Sequence, residues 1–320
     1  MKNIQLTCAH ALVKYLIAQK TLIDEKKVPL FPGVFGIFGH GNVACLGQAL
    51  QENQNELPTW RGHHEQNMAL TGIAYSRAKR RKQIFVATSS VGPGSTNMVT
   101  AAAVAMSNRI PILFLPGDTF SNRFPDPVLQ QGEHFNNPGI TANDAFKPVT
   151  RYFDRITRPE QIISSLQQAI QVMLDPADCG PACISLSQDV QGEVYDYPEE
   201  FFKENIHIIR RSKPDDFQIK EAAELIKKSK KPIIISGGGV FYSDATDQLS
   251  AFAIKHNIPV TQTVMGYSTM KKDHSHYLGV IGGLGGRAAN NLSKETDTAI
   301  AIGTKLADFT TGSWANFENP

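Results

Sequence analysis

Residues 84–98 read IFVATSSVGPGSTNM. The apolar run from Ile84 to Thr88 gives way to Gly92-Pro93-Gly94, and Ser95 then opens a helical spacing that continues to Met106. An apolar run closed by Gly and Pro and followed by that spacing reads as a buried strand turning into a helix. A strand feeding directly into a helix is the building block of a parallel sheet.

The same rhythm extends both ways. Leu6 to Ile17 has helical periodicity, and Val34 to Phe38 is a strand ending at Gly39-His40-Gly41. Asn42 caps a helix to about Gln51. Glu65 to Arg80 is helical, with Met68, Ala69, Gly72 and Ile73 on one side. Downstream, Pro111 to Leu115 is a strand. Pro159 starts a helix faced by Ile162, Leu166, Ile170 and Met173, and Ala182 to Leu186 is a strand. Gly117 to Arg151 shows no period and is too long for a plain connector, and such loops tend to be functional. Residues 188–215 turn from acidic to basic around Pro198 and Pro214 and read as a linker. The rhythm then restarts: a helix over 218–228, a strand over 233–236, Gly237-Gly238-Gly239, a helix over 244–256, and strands at 258–261 and 298–302. The expected fold is α/β, with two doubly wound parallel-sheet domains over 1–187 and 216–320. A doubly wound sheet usually continues past such a last strand, so the second domain is expected to be incomplete as it stands.

Composition narrows the function classes. The chain is 41% hydrophobic and 19% charged, enough apolar surface for two cores. Its net charge of +2 gives no electrostatic footprint for nucleic acid. Lys79-Arg80-Arg81-Lys82 closes a helix and complements its dipole. Cys8, Cys45, Cys179 and Cys183 form no CxxC pair and are expected to be buried free thiols. No apolar stretch reaches the roughly 20 residues of a membrane helix. A cytoplasmic protein without nucleic-acid or membrane partners is the expectation.

The chemical signals are individually modest. In Arg61-Gly62-His63-His64-Glu65-Gln66-Asn67, read alone, Glu65 is a carboxylate favoured at a helix start. His63 and His64 point apart and lack a third ligand, so no metal site is expected. The turn Gly92 to Asn97 can present backbone N–H groups to an anion, but no Lys-Ser/Thr pair closes it and Pro93 deletes a donor. Gly237-Gly238-Gly239 lacks the GxGxxG spacing and an acidic partner near Pro259 to Gln262, so it reads as a close βα turn rather than an NAD or FAD site. His40, His63, His64 and His134 occupy loop-like positions, and no GxSxG elbow occurs.

Taken in order, these pieces form one pattern: Val34 to Gly39, His64-Glu65-Gln66, Gly92-Pro93-Gly94-Ser95-Thr96-Asn97, Ile110-Pro111-Ile112, Gly180-Pro181-Ala182, Gln188 to Gln191, Lys231-Pro232-Ile233, Gly237 to Val240, Ile258-Pro259-Val260 and Gly279 to Gly282. It resembles the acetolactate-synthase-like superfamily of thiamine-diphosphate enzymes along essentially the whole chain. Phe38 and Ser187 stand where many members have Pro. Within the superfamily, His40-Gly41-Asn42, Arg61 to His64 and Phe120 to His134 are most similar to a branch that opens a small cyclic dione by C–C hydrolysis.

The resemblance implies a pyrimidine-binding domain followed by a central domain. It makes Glu65 the buried carboxyl, raised in pKa, that exchanges a proton with N1′ of the aminopyrimidine. Gly92, Gly94 and Asn97 would also touch the cofactor, His40 and His64 would face the substrate, and a second copy of the chain would complete the site. Mg²⁺ and the diphosphate would be held by a GDG…N motif, which does not occur here. The diphosphate-binding domain is therefore expected outside this chain, which alone is expected to bind the cofactor weakly and to turn nothing over. Three other readings compete: another lyase or carboligase of the superfamily, a non-catalytic interaction module with the same fold, and a nucleotide-binding oxidoreductase resting on Gly237 to Gly239.

Overall fold

The computed structural model describes residues 2–132, 134 and 136–318. It forms two compact units, Met1–Arg211 and Ser212–Pro320.

In the first unit, β1 (Asn3–Thr7), β2 (Gln19–Ile23) and β3 (Lys26–Pro29) precede the first strand foreseen from the sequence. The main sheet contains β4 (Val34–Ile37), β5 (Thr59–Arg61), β6 (Val86–Ser89), β7 (Leu113–Phe114), β8 (Gly117–Asp118), β9 (Tyr152–Ile156) and β10 (Ala182–Ser187). Their order is β5-β4-β6-β7-β10-β8 with β9 also on β10, and every pairing is parallel. From β4 the chain passes to β5 on one side and then to β6 on the other. The strand order thus reverses between β4 and β6, the place where open sheets of this kind bind ligands beyond their carboxyl ends.

Helices cover this sheet through the faces the sequence marks. Thr7 caps the helix Cys8–Ala18 by accepting from the His10 N–H, and that helix buries Leu12, Val13 and Leu16. The helix Ile162–Leu174 buries Ile162, Leu166, Ile170 and Met173 against the core that includes Ile184 and Leu186. Each such side chain contributes about 1.5–3 kcal/mol when fully buried. The helix Glu65–Ala78 buries Met68, Ala69, Gly72 and Ile73.

Residues 188–211 are not the expected linker. They form a helix, Gln188–Gly192, then β11 (Val194–Pro198), antiparallel to β1, and β12 (Asn205–His207), parallel to β2. Three of the five residues of β11, Val194, Tyr195 and Asp196, are exposed, so the strand shows no clean buried face. Tyr197 is fully buried, and its hydroxyl donates to the Pro159 carbonyl at 2.9 Å. The first unit therefore ends near 211 rather than 187.

The second unit has β13 (Pro232–Ser236), β14 (Val260–Gln262), β15 (Tyr277–Val280) and β16 (Thr298–Ile302) in the order β15-β14-β13-β16, all parallel. Its order reverses between β13 and β16, where Gly237-Gly238-Gly239 follows β13. A Cβ at Gly239 would lie 2.6 Å from Gly303 Cα, and the N–H groups of Gly237 and Gly239 donate to the Ile302 and Gly303 carbonyls. The turn is a close backbone crossing with the N–H groups of Gly237 and Gly239 already used, as the sequence reading expects of a βα turn.

Cys8 and Cys179 are buried free thiols pushed up to about 12 by burial, and Cys183 is buried and raised for the same reason. Cys45 is free and half-buried. Among the described residues no helix is long and apolar enough to cross a membrane.

Candidate active site

The edge strand β5 ends at Arg61, and Glu65 starts the helix four residues later, with His64 in the cap position. Because this helix start sits at the rim of the sheet, Glu65 is half-buried rather than buried as expected. Across from it, β6 runs out through Ser90 and Val91 to Gly92, which has φ 61°, and Pro93–Thr96 makes one short helical turn capped by Asn97. The helix expected from Ser95 is broken here and resumes at Val99. Asn97 Nδ2 donates to Glu65 Oε2 at 2.8 Å and lies 3.4 Å from His64 Nε2.

Glu65 Oε1 makes no hydrogen bond among the described residues. It faces Gly94, where an added Cβ would lie 3.5 Å from Oε1 and 3.4 Å from Ser90 Cβ. Ser90 lies in the β4/β6 crevice, close enough to Gly39 that a Cβ there would come within 2.3 Å of Ser90 Oγ. That hydroxyl is buried without a hydrogen-bond partner. The carboxylate oxygen and the space left by Gly94 thus meet near the point of strand reversal, and Ser90 packs between Gly39 and Gly94.

His40 and Gly92 meet a different segment. His40 Nε2 donates to the Leu129 carbonyl at 3.0 Å, and a Cβ at Gly92 would lie 1.6 Å from the Gln130 carbonyl oxygen. Consecutive carbonyls of the long loop therefore rest on the ends of β4 and β6, and Gly92 is needed there for both its positive φ and its missing side chain. Of the residues expected at the site, Glu65, His64, Gly94 and Asn97 cluster, while Gly92 and His40 seat the loop beside them. No hydrogen bond joins His40 to Glu65 among the described residues. His134 lines a separate cavity of about 320 Å³ within that loop. Among the described residues no group of three His, Cys, Asp or Glu side chains is placed for a metal ion.

A buried network behind the turn escaped the sequence reading. Ser95 Oγ donates to Asn143 Oδ1. Asn143 Nδ2 donates to the Gly117 carbonyl at 2.9 Å and to Ser185 Oγ at 2.7 Å. Ser185 Oγ donates to Asp118 Oδ2 at 2.5 Å, which also accepts from Arg155 Nε at 2.8 Å. Arg155 Nη2 reaches Asp144 Oδ2 at 3.1 Å. The visible signal was Thr141-Ala142-Asn143-Asp144, a capping box that opens the 3₁₀ helix Ala142–Val149.

Burial raises the Asp144 carboxyl, but the donors Lys147, Thr141 N–H and Arg155 outweigh it and hold the group below its ordinary value of 3.8. A depressed folded pKa adds stability that is complete above the unfolded value and disappears as pH falls through the folded one. Thermal scans between about pH 5 and pH 2 are expected to show a shallower acid loss in Asp144→Asn than in the parent. Equal slopes would remove Asp144 from the acid transition.

The sequence matches known protein families. Residues 32–136 match the model "Thiamine pyrophosphate enzyme, N-terminal TPP binding domain", and residues 219–320 match "Thiamine pyrophosphate enzyme, central domain". The chain carries the N-terminal and central domains of the thiamine pyrophosphate enzymes. More particularly, it is 50% identical over 319 residues to the 3D-(3,5/4)-trihydroxycyclohexane-1,2-dione hydrolase of Clostridium tetani, a match covering all of this chain and 50% of the relative. The proteins of that name from Bacillus subtilis and Listeria monocytogenes are 49% identical over 317 and 316 residues, covering 99% of this chain and 50% of each relative. The chain spans about half the length of the curated relatives it matches.

Proposed function

We propose that the chain is the N-terminal portion of a thiamine-diphosphate-dependent hydrolase that opens 3D-(3,5/4)-trihydroxycyclohexane-1,2-dione to 5-deoxyglucuronate in myo-inositol catabolism. The observation that carries the proposal is the identity of about half along the entire chain to hydrolases of that name, with Glu65 at the strand reversal. The cluster fits an aminopyrimidine: among the described residues Glu65 Oε1 is an acceptor without a protein partner, and Gly94 leaves the space beside it open.

In this reading Glu65 Oε1 holds and exchanges the proton of N1′, while Asn97 Nδ2 fixes the carboxyl by occupying Oε2. Bound thiamine diphosphate supplies the electron sink for the breaking C–C bond. His64, beside Asn97, and His40, at the end of β4, offer polar groups to the hydroxyls of the dione. The carbonyls of Leu129 and Gln130 hold the loop that limits water access. The diphosphate and Mg²⁺ are assigned to a domain outside this chain, a second copy completes the site, and the enzyme works in the cytoplasm.

The test is to assay the full-length gene product with the cyclic dione. Acid release dependent on thiamine diphosphate and Mg²⁺ is expected; joining of two keto acids with the dione left intact would replace the substrate assignment. In the same protein, Gly94→Ala is expected to weaken cofactor affinity about tenfold. Its thermal midpoint should stay put, because the new methyl meets Glu65 Oε1 at an ordinary contact distance. Unchanged affinity, measured by titration calorimetry, would move the pyrimidine away from Gly94.

A further inference from the structure

The turn that carries Gly94 and Asn97 has little of its own to hold it. Pro93–Thr96 is a single turn, entered at Gly92 with φ 61° and separate from the helix that resumes at Val99. Within it the Thr96 N–H donates to the Gly92 carbonyl at 2.9 Å and the Asn97 N–H to the Pro93 carbonyl at 3.1 Å. One turn of helix does not persist unaided, because fixing its backbone costs more than so few bonds return. Its place comes from what lies behind it.

Ser95 stands between Gly94 and Asn97 in the chain, is fully buried, and donates through Oγ to Asn143 Oδ1. Asn143 is 1% exposed, and its amide can stand only one way round. The Gly117 carbonyl, 2.9 Å away, accepts and cannot donate, so the group facing it is Nδ2. Nδ2 also donates to Ser185 Oγ at 2.7 Å, and Ser185 gives its own hydrogen to the Asp118 carboxylate. Oδ1 is left for Ser95, whose hydroxyl hydrogen is thereby fixed in direction. Every side-chain hydrogen in this row points from the turn toward Asp118, and bonds aligned head to tail strengthen one another. The same long loop meets the turn a second time, where the Gln130 carbonyl occupies the space a side chain at Gly92 would need. The loop therefore holds the turn at two points, Gly92 and Ser95.

We propose that Asn143 is a positioning residue for the thiamine site: through Ser95 it fixes the turn that leaves space at Gly94 and brings Asn97 to Glu65. The assignment rests on the reading of Glu65 as the pyrimidine ligand. Titration calorimetry of the full-length protein with thiamine diphosphate and Mg²⁺, paired with a thermal scan of each variant, tests it. The Ser95 hydroxyl makes its one side-chain hydrogen bond among the described residues to Asn143, so Ser95→Ala removes that link alone. It is expected to weaken cofactor affinity about tenfold. Asn143→Leu, similar in volume but without the amide, should do the same. The double variant should lose no more affinity than either single one, since both break one link. Tyr197→Phe removes a buried hydrogen bond on β11 in the same unit. It should lower the thermal midpoint and leave the affinity at the parental value. A lowered midpoint with unchanged affinity in Ser95→Ala would overturn the proposal, whether or not Asn143→Leu folds. Additive losses in the double variant would overturn it too, because Asn143 would then act by another route. If the parent binds no thiamine diphosphate, the reading of Glu65 fails and this assignment falls with it.

Discussion

On the proposed function, Glu65→Gln in the full-length protein is expected to lower turnover of the cyclic dione by about a hundred- to ten-thousand-fold, the range typical for removal of a positioned proton-transfer group. The substitution is selective. A glutamine amide oxygen can still accept the Asn97 Nδ2 hydrogen that Glu65 Oε2 takes at 2.8 Å. The helix start therefore keeps its local partner, and the half-buried position tolerates a neutral isostere. What disappears is the capacity to hold and release a proton at Oε1. Steady-state kinetics with a parallel thermal scan checks this: kcat should fall while the midpoint stays within a few degrees. A variant retaining more than about a tenth of parental kcat would show that the proton moves through another group.

Arg155→Met is expected to destabilise the first unit by about 3–5 kcal/mol, the usual cost of leaving a buried charge without its partner. Asp118 is 1% exposed, and its Oδ2 takes both Arg155 Nε and Ser185 Oγ. Without the guanidinium the carboxylate keeps hydrogen bonds from Ser185 and from the Thr119 N–H at 2.8 Å, but it loses its cation. Burying an ion pair and burying neutral groups of similar shape differ little, whereas half a pair is costly. The double variant Arg155→Met, Asp118→Asn should therefore recover most of the loss. Denaturant titration of the three proteins decides it: a loss below about 1 kcal/mol in the single variant would mean that water already serves Asp118.

The βα rhythm was legible because buried parallel strands and amphipathic helices carry local periodicity, as in Ile84 to Met106 and Ile162 to Met173. Glu65 became legible only through the order of motifs around it, since a carboxylate at a helix start has an ordinary local explanation. Contacts set by distant partners were not legible. Gly92 looked like part of a cofactor turn, and nothing nearby announces that the Gln130 carbonyl rests on it. Asn143 and Ser95 are 48 positions apart, and their bond depends on how the long loop folds back. β11 reads as linker because its apolar residues do not follow burial: Val194 and Tyr195 are exposed, and Tyr197 is the buried one.

The return of the chain at β11 and β12 has a consequence for biosynthesis. Asn3 is registered with Pro198, and Gln19 with Asn205. At roughly 5–20 residues per second, a ribosome holds β1 without its partner, and one edge of β2 open beside its hairpin partner β3, for about 10 to 40 s. Through that interval the nascent chain presents open strand edges to every neighbouring polypeptide. Demand for chaperones is therefore heaviest while the middle of this unit is being translated, and it ends when the segment around residue 207 leaves the exit tunnel.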